Sequence, residues 1–305
     1  MILPYFNFAK TKRRTTLFLE FLDRCKNLTN IRIVIAEAAV DEFTLAKSAL
    51  AKSKLVFLHL RYKLDFAYFC KENLIYVAIK ELTLSPLSFN WKYVCWIDAD
   101  MTFANNNWVK DTLKELQRSH FVQLFDSTII MGPSEEPLVV KQGFAFLTSL
   151  SENIDNIAVA PGLAMACTRW AFEMTATTLF DYVIVGGGDH LLLIAITQNI
   201  QLYLQKFKKF NISSTFDELV MRDAKRFKEN NITLSYIKGA ALSHWHGKLK
   251  DRLYSERWHF MAHFDPNVDL VRNEQGLLNL SNRGKLNKTN LANYFIRRND
   301  DNMQL

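Results

Sequence analysis

The stretch "YVCWIDADM", residues 93–101, ends an apolar run on two aspartates separated by one residue. Residues 93–97 have the length and the aromatic and β-branched content of a buried strand, so Asp98 and Asp100 are expected at its carboxyl end. In a strand-like backbone the two carboxylates point to the same side, where like charges repel unless a cation sits between them. Hard oxygen ligands suit Mg²⁺ or Mn²⁺, which makes Asp100 and Asp98 candidate metal ligands. The competing explanation is a pair of surface aspartates at a strand end, with Asn105 to Asn107 finishing the turn.

Two further stretches carry chemistry. In "VIVGGGDHLLL", residues 183–193, three glycines let the backbone approach a ligand closely and precede Asp189 at the start of an apolar helix. Asp189 either caps that helix or acts as a general base on an incoming hydroxyl. The segment is not a P-loop, and no G-x-G-x-x-G follows the first strand. In "ALSHWHGKLKDRLYSERWHF", residues 241–260, His244 and His246 are two apart, and either supplies a nitrogen to a metal held by carboxylates. Arg252, Tyr254 and Arg257 are spaced to share one helical face, suited to phosphate oxygens; a surface basic helix with two ordinary histidines is the plainer alternative. Together the three stretches outline a diphosphate clamped between an aspartate-bound cation and arginines, with a carboxylate base facing an acceptor. That arrangement is suited to glycosyl transfer.

The elements that must position these residues alternate along the first two thirds of the chain. "MILPYFNF" reads as a strand, "TTLFLEFLDRCKNL" as a helix with Leu17, Phe21 and Leu28 on one face, and "NIRIVIAEA" as a second strand ending at Glu37. "KLVFLHLR" is a third strand, and "LDFAYFCKENLIYVAIKEL" a long helix with Phe66, Phe69, Leu74 and Val77 inward. After the aspartate strand, "NWVKDTLKELQRS" is a helix with Val109, Leu113 and Leu116 inward, and "HFVQLFD" another strand. This order predicts an α/β fold with a mostly parallel central sheet flanked by helices. Ligands of such sheets collect at the carboxyl ends of the strands, where Glu37, Asp98, Asp100 and Asp126 are expected. "MGPSEEP" is expected to break the pattern as a loop; beyond it, "NIAVAPGLAMACTRWAFEM" reads as a strand, a turn at Pro161-Gly162 and a short helix.

Composition sets the outer bounds. With 305 residues, 49% of them apolar and including 23 Phe and 6 Trp, the chain can bury a large core. Its formal net charge of +7 favours an anionic partner. Cys25, Cys70, Cys95 and Cys167 show no paired metal-ligand spacing and are expected as reduced core residues of a cytoplasmic protein. The sequence shows no secretory signal and no apolar run long enough to cross a bilayer.

"CKENLIYVAIKEL", "WKYVCWIDADMTFANNNWV", "PGLAMACTRWAF", "GGGDHLLL" and "SHWHGKLKDRLYSER" occur in the order seen in GT-A-fold glycosyltransferases, and the chain most nearly resembles the family-2-like proteins of bacteria, phages and large DNA viruses. The resemblance spans residues 1–265, taken as the catalytic domain, and leaves 266–305 as a polar basic C-terminal extension. It implies a Mn²⁺- or Mg²⁺-assisted transferase that moves a sugar from a nucleotide-sugar donor, a UDP- or GDP-sugar, to a glycan or glycoconjugate acceptor. In that pattern Asp98 contacts the ribose or the metal's water shell, Asp100 binds the metal, and His246 completes the shell, with His244 as the alternative. Tyr5, Asn7 and Glu37 would border the base and Lys71 would approach the donor, although Tyr76 replaces the asparagine of the related Lys-Glu-x-x-x-Asn segment. Asp189 matches the acceptor-side base of inverting members.

Three rival readings remain: a metal-dependent phosphoesterase or nucleotidyltransferase using the same aspartates, a nucleic-acid-binding protein that would explain the charge, and a sugar-binding scaffold without activity. The first would more naturally show further Asp, His or Asn clusters, and the second a recognisable binding module; neither is evident, so no nucleic-acid partner is expected.

Overall fold

Buried apolar stripes fix the first half of the fold. The structure is a computed structural model that describes residues 1–50, 53–84, 90–150, 159–175, 179–254, 256–283 and 288–304. Strand β1 (Ile2–Phe6) leads to helix α1 (Lys12–Arg24), which buries Leu17, Phe18, Phe21 and Leu22 along one side. Strand β2 (Ile33–Ala39) is buried at every position, as a central parallel strand covered on both faces must be. A short helix α2 (Lys47–Leu50), strand β3 (Val56–Lys63), helix α3 (Lys71–Leu84) and the aspartate strand β4 (Tyr93–Ile97) follow.

Only three residues separate the end of β4 from strand β5 (Met101–Phe103). Next come α4 (Trp108–Glu115), β6 (Phe121–Gln123), β7 (Ser127–Met131), β8 (Pro137–Gly143), α5 (Phe144–Ser149), β9 (Val159–Ala160) and β10 (Ala164–Thr168). Helices α6 (Arg169–Thr175), α7 (Gly188–Thr197), α8 (Ile200–Phe207) and α9 (Ser214–Glu229) precede β11 (Leu234–Tyr236) and β12 (Ala240–Ser243). The chain closes with α10 (Pro266–Asp269), a hairpin of β13 (Leu270–Arg272) and β14 (Leu278–Leu280), and α11 (Lys288–Arg297).

The main sheet has seven strands in the order β11-β6-β10-β4-β1-β2-β3, with β10 running against its neighbours and the remaining pairs parallel. The protein is therefore an α/β fold with a largely parallel central sheet, as the alternation of periods predicts. A second sheet, β5-β12-β7-β8-β9, is not visible in that alternation. Its strands are short and come from distant segments, and residues 98–100 form the step from one sheet to the other. The "MGPSEEP" loop is the tip of the β7–β8 hairpin, closed where Gly132 N–H donates to the Glu136 carbonyl at 2.7 Å.

Two expected helices shift. The long helix starts at Lys71 and not at residue 64, because Phe66 stacks on Tyr68 with ring centroids 4.8 Å apart and residues 66–68 are buried consecutively, without a helical stripe. In α4 the inward face is Trp108, Thr112 and Glu115, with Val109 and Leu113 half-buried, because Trp108 stacks on Phe103 at 4.4 Å and sets the helix's rotation. The strand expected over residues 120–126 shortens to β6, and Leu28 lies beyond the end of α1. Residues 156–158 of the expected strand before Pro161 lie outside the described residues.

Residues beyond 265 do not form a separate extension. Leu277, Leu278, Leu291, Tyr294 and Phe295 join the same hydrophobic core as α3 and α7. Asn73, fully buried on α3, accepts from Leu278 N–H at 3.2 Å and donates to the Gly276 carbonyl at 3.1 Å. Arg272 grips Asp181 with both terminal nitrogens, at 2.7 and 2.8 Å, and Tyr76 faces the Arg272 guanidinium 5.7 Å from its ring centroid. Asp181 is buried, which by itself raises its pKa, so its charge depends on that fork and on Asn73. Arg272→Ala leaves this carboxylate buried without its partner and is predicted to cost about 3–5 kcal/mol in denaturant unfolding. An unchanged midpoint would mean that the Arg272–Asp181 fork contributes nothing to stability.

Candidate active site

One cavity of about 740 Å³ gathers most of the residues singled out by the sequence: Tyr5, Lys71, Asp98, Asp100, Asp189, His246, Arg252, Tyr254 and Arg257 all line it. Backbone hydrogen bonds fix the aspartate step, with Asp98 N–H donating to the Leu163 carbonyl at 2.7 Å and His244 N–H to the Asp100 carbonyl at 2.8 Å. The two carboxylates have different partners. Both oxygens of Asp98 lie against Lys71 Nζ, at 2.7 and 3.0 Å. Asp100 Oδ2 lies 3.1 Å from His246 Nδ1, and its buried Oδ1 has no hydrogen-bond partner among the described residues.

Burial governs the protonation states here. Burial pushes Asp98 up to about 6, Lys71 opposing and Asp100 reinforcing it. Burial also works to discharge Lys71, yet Asp98, Asp189 and Glu72 outweigh it and keep the ammonium above its ordinary range. Burial and the Arg252 guanidinium push His246 down to about 3 against the pull of Asp100, so the imidazole is neutral at physiological pH. Its Nδ1 lies 3.0 Å from the His244 carbonyl and 3.4 Å from Arg252 Nη2.

These facts test the divalent cation. The orphaned Asp100 Oδ1 and a neutral His246 are fitting donors for Mn²⁺ or Mg²⁺, while Asp98 is committed to Lys71 and could join a metal shell only through water. Among the described residues no group of three His, Cys, Asp or Glu side chains is arranged to hold a metal alone. An ion bound here therefore needs ligand oxygens to complete its shell. His244 is excluded as the alternative by its own bonds, since Nε2 pairs with Thr102 Oγ1 at 2.7 Å and Nδ1 with Glu135 at 2.8 Å.

Asp189 lies in the first turn of α7, but the N-cap is Gly187, which makes no side-chain capping bond. Asp189 Oδ1 accepts from His190 N–H at 2.8 Å, and Oδ2 is 3.9 Å from Lys71 Nζ. Pro161-Gly162 makes room for it: a Cβ on Gly162 would meet Asp189 Oδ2 at 1.9 Å. The run of three glycines serves a purpose other than ligand approach. A Cβ on Gly186 would strike Arg257 and Phe69, one on Gly187 the Trp258 indole, and one on Gly188 the side chain of Glu72, so the glycines admit side chains of the protein itself. Gly187 also adopts φ of 109°, a conformation other residues rarely reach.

Arg252, Tyr254 and Arg257 come together without the expected helix. Two 3₁₀ turns, Leu249–Arg252 and Glu256–Met261, flank Leu253 at φ of 48°. Arg252 donates to Tyr254 Oη at 3.2 Å, and Arg257 stacks over the Tyr254 ring at 5.1 Å. Asn7 and Glu37 stay outside the cavity lining. Asn7 closes the turn into α1 through Thr11, at 2.8 and 3.0 Å, and Glu37 holds the segment after β2 through Thr44 N–H, Leu45 N–H and His59 at 2.8–2.9 Å. Asp126 likewise accepts from Gly239 N–H at 3.0 Å.

Sequence reasoning missed Glu72, Arg14, Lys141, Lys206, Lys209 and Arg298. All but Glu72 line the cavity, which carries eight Lys and Arg side chains against three Asp and so favours an anionic ligand. For Arg298 a signal existed, because Leu291, Tyr294 and Phe295 form an i, i+3, i+4 apolar stripe just before it.

No protein-family model and no curated protein matches the chain. Solved structures similar to it include glucosyl-3-phosphoglycerate synthase from Mycobacterium tuberculosis in complex with Mn²⁺, uridine diphosphate and phosphoglyceric acid, at 10% identity over 93% of this chain and 86% of that one, with a TM-score of 0.45. A galactosyltransferase in complex with donor and acceptor sugar analogues matches at 11% identity over 86% and 95%, TM-score 0.32. The 4-diphosphocytidyl-2C-methyl-D-erythritol synthase of Anaerococcus prevotii matches at 13% over 78% and 88%, TM-score 0.35. All three scores fall below 0.5.

Glu72, 5% exposed, accepts from Asp189 N–H at 3.3 Å. Burial, then the Asp189 charge, pushes it up to about 8, against the pull of Lys71. The folded state thus holds this proton more tightly than the unfolded chain, and the stability linked to it, full below about 4.5, is lost as pH rises towards about 8. Glu72→Gln is predicted to flatten the dependence of Tm on pH across that window and to raise Tm by a few degrees at pH 9. Parallel Tm profiles for parent and variant would refute the buried protonated state.

Proposed function

We propose that the protein is a nucleotide-sugar-dependent glycosyltransferase of GT-A type, transferring a sugar from a UDP- or GDP-sugar to a hydroxyl of a glycan or glycoconjugate. The observation that carries this reading is the gathering, in one cavity, of the Asp100 carboxylate with its orphaned oxygen and of the Asp189 carboxylate, which Lys71 links to Asp98. Arginines and lysines around them suit a diphosphate, and the apolar wall of Tyr5, Leu17 and Phe18 suits a nucleobase.

In this mechanism Arg252 and Arg257 bind the diphosphate, and Asp100 with His246 would hold a Mn²⁺ or Mg²⁺ ion. When bound, such an ion stabilises negative charge on the departing diphosphate. The acceptor oxygen attacks the anomeric carbon, the bond from that carbon to the diphosphate oxygen breaks, and Asp189 takes the acceptor's proton. One displacement inverts the anomeric configuration. Lys71 keeps Asp98 and Asp189 apart electrically and holds both in place.

The reading is tested by calorimetry with UDP-, GDP- and dTDP-sugars, with and without Mn²⁺. We expect one donor to bind in a metal-dependent way, and Asp100→Asn to abolish that dependence while the protein stays folded. Unchanged Mn²⁺ affinity in the variant would remove Asp100 from the metal site. Asp189→Asn is expected to keep donor binding but lose transfer by about 10²-fold or more, the scale of a lost general base. Equal turnover of variant and parent would reduce Asp189 to a structural residue.

A further inference from the structure

The segment after α11 brings into the cavity charge that the mechanism above leaves without a role. Arg298, 4% exposed, lines the cavity, as does Arg14 from α1. Between them lies Asp300, 3% exposed, whose Oδ2 accepts from Arg14 Nε at 2.6 Å and whose Oδ1 accepts from Arg298 Nε at 3.4 Å. Arg14 Nη1 donates to the Phe6 carbonyl at 3.1 Å, and Arg298 Nη1 to Tyr294 Oη at 3.4 Å. Each guanidinium is thus fixed through Nε and Nη1, and neither Nη2 has a hydrogen-bond partner among the described residues. Beside them Arg252 and Arg257, each more than nine-tenths buried, leave Nε without a partner among the described residues. Two guanidiniums against one carboxylate leave a net positive charge, with donors pre-set for an acceptor that the protein itself does not supply.

The segment is locked in place on both sides. Asp301 accepts from Arg13 N–H at 2.7 Å and Lys12 N–H at 3.1 Å, satisfying the free amides at the start of α1. Trp245 Nε1 donates to the Asn302 carbonyl at 2.6 Å, and a Cβ on Gly247 would meet the Arg298 and Asn299 carbonyls at 2.9 Å. Residues 298–302 therefore tie α1 to the strand end that carries His246.

We propose that Arg298 and Arg14, with Asp300 as their positioning residue, form an anion site for a diphosphate group, so that the C-terminal segment is part of the binding site. That the diphosphate belongs to a nucleotide-sugar rests on the transferase reading; the site's preference for a pyrophosphate-like anion does not.

The test is calorimetric titration of the full chain with inorganic pyrophosphate, free of divalent metal, followed by the same nucleotide-sugar panel. We expect the parent to bind pyrophosphate, Arg298→Ala to weaken it about tenfold or more, and Arg298→Lys, which keeps charge and bulk but loses the fork, to fall between. Asp300→Asn should weaken pyrophosphate binding and Asp300→Glu should restore it in part, whereas Asp301→Asn, which breaks only the exposed cap of α1, should leave pyrophosphate binding unchanged. If the parent ignores pyrophosphate, or if Arg298→Lys and Arg298→Ala bind it like the parent, the inference is overturned. If the parent binds pyrophosphate through Arg298 but no nucleotide-sugar, the anion site stands and the transferase reading falls. If pyrophosphate binds through Arg298 while nucleotide-sugar binding is indifferent to it, the anion site and the transferase reading both stand, and the assignment of this site to the donor's diphosphate is overturned.

Discussion

A single buried ammonium organises the centre of this protein. Lys71 is 5% exposed, and a charge so far from water is tolerated only when carboxylates surround it. Asp98 from the end of β4 and Asp189 from the start of α7 answer that need, and Lys71 itself opens α3. Three elements far apart in sequence are thereby brought to one point by one electrostatic requirement. The requirement extends to Glu72, which stands beside the same charges and yet is pushed towards its neutral form by burial and by Asp189. The site is a balance of unlike neighbours, and no member can be replaced without changing the protonation of the others.

The glycine-rich turn illustrates how that balance is packed. Gly186, Gly187 and Gly188 are small because Arg257, Trp258 and Glu72 occupy the space their side chains would need. Gly162 yields in the same way to Asp189. Tight packing of this kind fixes the carboxylates and guanidiniums before any ligand arrives, which lowers the reorganisation that binding and chemistry would otherwise require.

Much of the architecture was legible because it rests on local patterns. The all-buried run of β2, the stripe of α1 and the apolar strand ending at Asp98 and Asp100 each show their period within a short window. Asp189, His246 and the arginine cluster were legible as residue types in suggestive spacing. What was not legible depends on contacts between distant segments. The second sheet is built from strands of two to seven residues, and its order, β5-β12-β7-β8-β9, has no local trace. Glu37 looked like a ligand at a strand edge, but its partners, the amides of Thr44 and Leu45, are set by how the chain turns after β2. Residues beyond 265 looked like a polar basic extension because their apolar members are few, although Leu277, Leu278, Leu291, Tyr294 and Phe295 are buried.

The bond between Lys12 N–H and Asp301 spans 289 positions of the chain. On a ribosome, which delivers residues in order, α1 emerges and waits for its cap until a segment 289 positions later has been made. During that interval β1 to β4 can already pair, yet the cavity lacks its Arg298 wall and the His246 strand end lacks its tether. Assembly of the binding surface thus waits on loop closure over 289 positions, and the nascent chain stays without a finished site until Arg298 and Asp301 have emerged.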